Sequence, residues 1–76
     1  MASARAAPGP LRATLARNMV KFRLQAGLTQ RALAARSGVT QRQISALEGG
    51  KLNATLDTIS VLAQALGVDP RELVRE

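Results

Sequence analysis

A short run of polar residues carries the most specific hydrogen-bonding chemistry in this sequence. Gln41 presents a donor and an acceptor in one plane, Arg42 presents a planar fork of donors, and Ser45 follows at helical spacing. Coplanar groups of this kind match the edges of nucleic-acid bases, because an amide pairs bidentately with adenine and a guanidinium pairs bidentately with guanine. The segment therefore has the chemistry of recognition by hydrogen bonding.

The sequence lacks the residue types that catalysis requires. It has no His and no Cys, and no two carboxylates stand at a spacing suited to acid-base or metal chemistry. We therefore predict that the chain is not an enzyme and binds no metal and no cofactor. A chain without cysteine also fits a reducing, cytoplasmic location.

The net charge indicates the class of partner. Eleven Lys and Arg against five Asp and Glu give a formal charge of +6, which favours a polyanion, although a solubilising surface charge is the alternative. Phe22 is the sole aromatic residue and belongs to an apolar stripe, which disfavours a single-strand or RNA binder that stacks bases on aromatic rings. No apolar stretch reaches the roughly 20 residues that span a bilayer, so no membrane partner is expected.

The chain of 76 residues is long enough for one domain, and its apolar spacing predicts helices. Pro8 and Pro10 flank Gly9 and disfavour helix before them, so residues 1–10 are predicted to be a flexible basic arm and residues 11–76 the domain. The first helix is predicted from near Leu11. Its stripe is Leu15, Met19, Phe22 and Ala26, and Gly27 ends it.

The next two helices are predicted from their ends. Thr29 caps the second helix, whose inward residues are Leu33 and Ala34, and Gly38 ends it in a left-handed conformation. Thr40 caps the third helix and forms a capping box with Gln43, with Ile44 and Leu47 buried and Gly49 and Gly50 following.

A fourth helix is predicted over residues 55–66, closed by Gly67 and polar on one face. Its predicted buried residues are Leu56, Ile59, Leu62, Ala63 and Leu66. Asp69, Pro70 and Glu72 then predict a last short turn with a cap, a proline at the first helical position and a capping-box acid.

The spacing between residues 30 and 49 is what a helix-turn-helix requires. Ala34 is small where two helices cross, Gly38 tolerates the turn, and Ile44 and Leu47 fill the angle between the helices. The second helix of the pair then projects from the body of the domain. Its outward positions, which we predict to contact bases, are Gln41, Arg42, Ser45 and Ala46. Arg42 is also a candidate phosphate contact, and the role of Gln43 stays open between its capping box and DNA.

The segment LTQRALAARSGVTQRQISALEGGK resembles the helix-turn-helix of the Cro and phage-repressor family, and the similarity extends over residues from about 15 to 74. The resemblance implies an all-α, compact five-helix, lambda-repressor-like domain in which helices two and three form the helix-turn-helix. It implies a sequence-specific regulator of transcription, a repressor, that places helix three in the major groove of double-stranded DNA. The setting would be bacterial or phage-encoded, in the cytoplasm on the nucleoid.

The resemblance also assigns roles to individual residues. Gln41 matches a glutamine that reads a base, and Gln30 matches a residue that braces the recognition helix and touches phosphate. Ala46 stands where relatives often have a long polar side chain, which leaves an apolar contact with a thymine methyl. The predicted contacts to the DNA backbone are Thr29, Gln30, Gln43, Lys51, Asn53 and Thr55.

Glu48 at the end of helix three faces the negative end of the helix dipole and needs a cation nearby. In the family an Arg near the end of helix one pairs with this Glu, and Arg23 stands at the matching position. The resemblance therefore implies a structural ion pair between Arg23 and Glu48.

Two matters stay open at the level of sequence. One short helix makes few base contacts, so a homodimer on a two-fold operator is expected. Val61, Val68, Leu73 and Val74 are candidates for its interface or equally close the core. The alternative function is an antitoxin or a protein-interaction adaptor on the same fold, with secondary DNA binding.

Overall fold

Five helices form the regular structure of the computed structural model, which describes residues 9–76. Their bounds are α1 Gly9–Gln25, α2 Gln30–Ser37, α3 Gln41–Glu48, α4 Leu56–Leu66 and α5 Pro70–Leu73. The predicted flexible arm falls, for its first eight residues, outside the described residues. No helix in the described part of the chain is long and apolar enough to cross a membrane.

Helix α1 differs from the prediction at both of its ends. It begins at Gly9, two residues before Leu11, because a helix tolerates Pro10 in its first turn, where the missing N–H has no intrahelical partner. Ala26 lies beyond the last helical residue and is exposed, so its placement in the apolar stripe was wrong. The turn at Gly27, with φ of 72°, ends the helix one residue too early for Ala26 to reach the core.

Each later helix begins at a polar cap, as predicted for Thr29, Thr40 and Asp69, whereas Thr55, predicted as the first residue of α4, is the cap that precedes it. The Thr29, Thr40 and Thr55 hydroxyls and the Asp69 carboxylate each accept a hydrogen bond from a backbone N–H two or three residues further on. The predicted capping-box role of Glu72 was wrong, because its carboxylate pairs instead with Arg75 at 2.9 Å.

The core consists of aliphatic side chains from all five helices and the turn between α2 and α3. Its largest fully buried members are Met19, Leu33, Ile44, Leu47, Leu62 and Leu73. The prediction that Leu56 is buried was wrong, since this side chain is 82% exposed. Ala54 and Ile59 pack against the core on either side of it, so the first residue of α4 points away from the core.

Helix α1 contacts α3 and α5, whereas α2 contacts α3 and α4, and α4 also contacts α5. Asn18 on α1 fastens α5, because its side-chain amide lies 3.1, 3.0 and 2.9 Å from the carbonyl oxygens of Glu72, Leu73 and Arg75. The body of the domain therefore holds α3 from two sides, through α1 and through α2.

Candidate nucleic-acid interface

A sharp three-residue turn sets the angle between α2 and α3. Gly38 has φ of 82°, a left-handed conformation that favours glycine, and its N–H donates to the carbonyl oxygen of Ala34 at 2.9 Å. Val39 is buried in the turn. A closed end of α2 and a buried turn residue together fix where α3 begins.

Helix α3 has one buried and one exposed face. Ile44 and Leu47 are 0% and 1% exposed and anchor the helix in the core. The predicted base contacts lie on the other side: Gln41, Arg42 and Ser45 are exposed, and Ala46 is half-buried. The structure therefore presents three polar side chains from the first five residues of α3 on one surface.

Gln43 is exposed on the first turn of α3, and its side-chain oxygen is already engaged. That oxygen accepts hydrogen bonds from the Thr40 backbone N–H at 3.1 Å and from the Thr40 hydroxyl at 3.0 Å. The amide nitrogen of Gln43 remains as a donor at the edge of the recognition surface. A donor without its acceptor half suits a phosphate better than the bidentate recognition of a base.

The far end of α3 is held by a part-buried polar cluster, the Glu48 cluster, formed by Arg23, Gln30 and Glu48. The Arg23 guanidinium makes two parallel hydrogen bonds to the Glu48 carboxylate, at 2.7 and 3.0 Å, with the side chains only 13% and 6% exposed. Gln30 donates to the same carboxylate at 2.9 Å, and the third Arg23 nitrogen donates to the carbonyl oxygen of Leu28 at 2.9 Å. Both oxygens of the Glu48 carboxylate thus accept a hydrogen bond from Arg23.

The cluster explains how an acid is tolerated at the negative end of a helix dipole. The hydrogen bond to Glu48 raises the pKa of Arg23 above its ordinary value, against a smaller lowering by burial. Because the contacts join the end of α1, the start of α2 and the end of α3, the cluster fixes α3 relative to both neighbours. Gln30 is half-buried and has its amide nitrogen in this cluster, so a phosphate contact would have to use the rest of the residue.

The loop after α3 holds a contact that the sequence did not predict. The side-chain oxygen of Asn53 accepts hydrogen bonds from Arg12 on α1, from Nε at 3.0 Å and from a second guanidinium nitrogen. The two residues are 41 positions apart, and no spacing or motif connects them. Arg12 therefore lies next to the loop that is predicted to contact the DNA backbone.

The remaining predicted backbone contacts lie at helix ends. The hydroxyls of Thr29 and Thr55 are exposed but cap α2 and α4. Lys51 is exposed, and its backbone N–H closes the end of α3 on the Ala46 carbonyl oxygen at 2.9 Å. The predicted base contacts thus lie together on α3, whereas the predicted backbone contacts are spread over three segments of the chain.

Comparison with known proteins identifies the architecture. A family model described as Helix-turn-helix (HTH_3) matches residues 20–73. An uncharacterized HTH-type transcriptional regulator, y4dJ, from Sinorhizobium fredii is 45% identical over 64 residues, covering 84% of this chain and 83% of the relative.

Two solved structures are similar in sequence and in fold. The crystal structure of the hypothetical transcription factor NHTF from Neisseria superposes with a TM-score of 0.83 at 40% identity, covering 86% of this chain and 75% of that one. The restriction-modification controller protein C.AhdI from Aeromonas hydrophila superposes with a TM-score of 0.79 at 34% identity, covering 82% of this chain and 90% of that one.

These similarities confirm the all-α, five-helix, lambda-repressor-like fold and the resemblance stated from the sequence. The family consists of regulators and not of enzymes, as the residue types indicated. The chain belongs to the helix-turn-helix family of DNA-binding transcriptional regulators.

Proposed function

We propose that this chain is a sequence-specific repressor of transcription that places α3 in the major groove of double-stranded DNA. The single observation that carries the proposal is the division of α3 into a fully buried anchor, Ile44 and Leu47, and an exposed face that carries Gln41, Arg42 and Ser45. The planar groups of Gln41 and Arg42 at this exposed start match base edges in the major groove. The runner-up function, an antitoxin or adaptor, has no such observation in its favour.

Base readout falls to the first two turns of α3. Gln41 pairs with adenine and Arg42 with guanine, each pair contributing about 1–3 kcal/mol of discrimination against a wrong base. Ser45 reaches the next base pair, and the half-buried Ala46 touches a thymine methyl. Because Ala46 has no long side chain, each copy of the chain contacts fewer bases.

Contacts to the DNA backbone set the register. Gln43 uses its free amide nitrogen, Lys51 its exposed ammonium group, and Arg12 those guanidinium donors that Asn53 leaves free. Thr29 and Thr55 contribute through the unpaired backbone amides at the helix starts that they cap. These contacts hold the domain on any duplex and carry no sequence information.

Two copies bind a two-fold operator. Helix α3 has eight residues, about 12 Å of length, and contacts only a few base pairs. Two half-sites about 34 Å apart place both recognition helices on one face of the duplex. A protein seated in this way over a promoter excludes polymerase, which is repression by occupation, and the setting is the bacterial nucleoid.

Selection of bound sequences from a random duplex pool tests this function. The expected product is a two-fold site with half-sites one helical turn apart. Gln41→Ala should weaken binding to that site about tenfold while leaving random duplex unchanged. Gln25→Ala, an exposed glutamine on α1, is the matched control and should change neither. Equal losses on both duplexes would remove Gln41 from the base readers.

The dependence on salt separates DNA binding from the adaptor alternative. Each phosphate neutralised by Lys or Arg adds about 0.9 to the magnitude of the slope of log K against log salt, so a dimer that uses Arg12 and Lys51 in each copy gives a slope of about −4. An adaptor with secondary DNA contacts gives a shallow slope and no enriched sequence.

A further inference from the structure

A cavity of about 560 Å³ lies between the first half of α1 and the end of α3, beside the Glu48 cluster. It is open to solvent, and its volume falls within the roughly 300–1,000 Å³ of sites for small molecules. We call this cavity the α1–α3 pocket. The residues that line it are Arg12, Ala13, Ala16, Arg17, Glu48, Gly49 and Gly50.

The α1–α3 pocket exists because most of the residues around it are small. Ala13 and Ala16 lie on α1, and Gly49 and Gly50 follow α3, so these four positions offer methyl groups and bare backbone. Ala16 is buried, whereas Ala13 is exposed. A space bounded in this way accepts the uncharged part of a ligand, because binding pockets combine apolar walls with a few polar groups.

Three cations border the α1–α3 pocket. Arg12 and Arg17 line it from α1, about 7.5 Å apart along the helix axis. The Lys51 side chain also lies close, since its Cδ is 3.9 Å from the place that a Cβ on Gly49 would take. Arg12 donates to the neutral amide of Asn53, and no hydrogen bond or ion pair joins the side chain of Arg17 or Lys51 to another described residue. Within the described part of the chain, all three positive charges are therefore uncompensated.

Glu48, the one acid among the lining residues, is already neutralised. Its Oε2 accepts a hydrogen bond from Arg23, and its Oε1 accepts hydrogen bonds from Arg23 and Gln30. The α1–α3 pocket therefore has an excess of positive charge beside small apolar walls. This composition suits a phosphate ester, because a guanidinium pairs bidentately with phosphate oxygens.

We infer that the α1–α3 pocket binds a small, free phosphorylated molecule. Its phosphate lies between Arg12 and Arg17, and its uncharged part lies against Ala13 and Ala16. The DNA backbone offers the same phosphate chemistry, but a cavity of this volume has room for a molecule that extends beyond one phosphate group.

Binding in the α1–α3 pocket competes with DNA. Arg12 and Lys51 are the cations proposed above to contact the DNA backbone, and a phosphate in the pocket engages the same donors. The ligand is therefore an inducer that releases the operator, a consequence that rests on the DNA binding proposed above.

Titration of the full chain with glycerol 3-phosphate tests the pocket without DNA. The amide NMR resonances of Gly49 and Gly50 report binding, chloride keeps the ionic strength constant, and glycerol is the uncharged control probe. Arg17→Gln removes a lining cation that is not among the proposed DNA contacts. Arg31→Gln, at an exposed position of α2, makes the same change of charge away from the pocket and is its matched control.

A second variant fills the pocket without changing its charge. Ala13→Leu places a good helix former at an exposed position of α1, and Ala35→Leu, exposed on α2, is its matched control. Circular dichroism establishes that all the variants are equally helical. Both pocket variants then test the site at unchanged fold.

The expected result is a saturable shift of the two glycine resonances with glycerol 3-phosphate and none with glycerol. Arg17→Gln and Ala13→Leu should each weaken binding of the probe at least about tenfold, and both controls should bind it like wild type. Absence of a saturable shift, or equal shifts in the pocket variants and their controls, overturns the inference.

The same probe, added to the complex with the selected two-fold duplex, tests the competition. Saturating glycerol 3-phosphate should weaken duplex binding about tenfold, and the duplex should weaken binding of the probe by the same factor. Binding of the probe without competition overturns the inducer role. Pocket variants that lose duplex affinity relative to their controls, while the free probe does not bind, assign the pocket to the DNA backbone and overturn the inference. If no duplex binds at low ionic strength the proposed repressor function fails instead, and the titration without DNA alone decides the α1–α3 pocket.

Discussion

The Glu48 cluster gives the sharpest prediction about stability, because its part-buried side chains are hydrogen-bonded to one another. Glu48→Ala removes both hydrogen bonds of the ion pair and leaves the Arg23 guanidinium with only the Leu28 carbonyl oxygen. Breaking a buried pair from one side costs about 3–5 kcal/mol. The remaining acceptor and the 13% exposure of Arg23 reduce this, and relief of the helix dipole returns a few tenths, so we expect a loss of about 2–3 kcal/mol.

A loss of this size is measurable because the domain is small. A chain of 76 residues has a free energy of unfolding of about 4–11 kcal/mol, and a loss of 2–3 kcal/mol lowers Tm by about 10–20 °C. Urea unfolding followed by circular dichroism gives the free energy directly. Glu48→Gln keeps a neutral acceptor for Gln30 and Arg23 and should lose less than Glu48→Ala.

A double-mutant cycle isolates the pair. Arg23→Met combined with Glu48→Leu removes both charges and replaces them with apolar side chains, so the double variant should lose much less than the sum of the two single changes. The expected coupling energy is about 2 kcal/mol. A loss under about 0.5 kcal/mol for Glu48→Ala, or additive single effects, would show that the pair is superficial and does not hold α3.

Three further predictions test the local structure. The hydrogen bonds that Asp69 accepts from the Arg71 side chain and backbone lower the pKa of Asp69 from 3.8 to about 2. The carboxylate therefore stabilises the fold fully above about pH 4, and this stabilisation is lost as the pH falls towards 2. A carboxyl NMR titration of Asp69 with its midpoint near 4 would contradict this. Gly38→Ala should lower the free energy of unfolding, measured in urea, by about 1 kcal/mol, because the φ of Gly38 is 82°. Gly49→Ala is the control and should lower it less, because the φ of Gly49 is −84°. Equal losses would refute the left-handed conformation at Gly38. Asn18→Ala removes the donor to three carbonyl oxygens at the end of α5. This variant should lower the free energy of unfolding by about 1–3 kcal/mol and speed amide exchange in α5. Unchanged exchange would show that α5 packs on the domain without Asn18.

The features that the sequence predicted well are those decided within four residues of the chain. Thr40 and Gln43 form a capping box because the side chain and the backbone N–H groups it satisfies belong to one helical turn. Ile44 and Leu47 face the core because they are three residues apart on a helix whose other positions, apart from Ala46, are polar. The left-handed turn at Gly38 is equally local.

The errors lie at the ends of helices, where periodicity cannot say how far the core extends. Ala26 continues the stripe of α1 by spacing, but the helix stops before it. Leu56 continues the stripe of α4, yet the core ends at Ala54 and Ile59. Glu72 has the right spacing for a capping box, and Arg75 competes for it successfully.

Contacts between distant segments were beyond sequence reasoning unless a resemblance supplied them. The bonds from Arg12 to Asn53 and from Asn18 to the end of α5 connect residues 41 to 57 positions apart, and neither has a pattern. The contact of Arg23 with Glu48, 25 positions apart, was anticipated because an acid at a helix end requires a cation and the family provides one at that place.

The residues that stabilise α3 are separate from its exposed residues, which explains how so short a helix can present a binding surface. A helix of eight residues is not stable alone, since isolated helices need about 12–15 residues. Its helicity depends on the Thr40 cap at one end, on Ile44 and Leu47 in the middle, and on the Glu48 cluster at the other end. None of these groups lies among the exposed residues proposed to read bases, so changes at those positions alter specificity at little cost in stability.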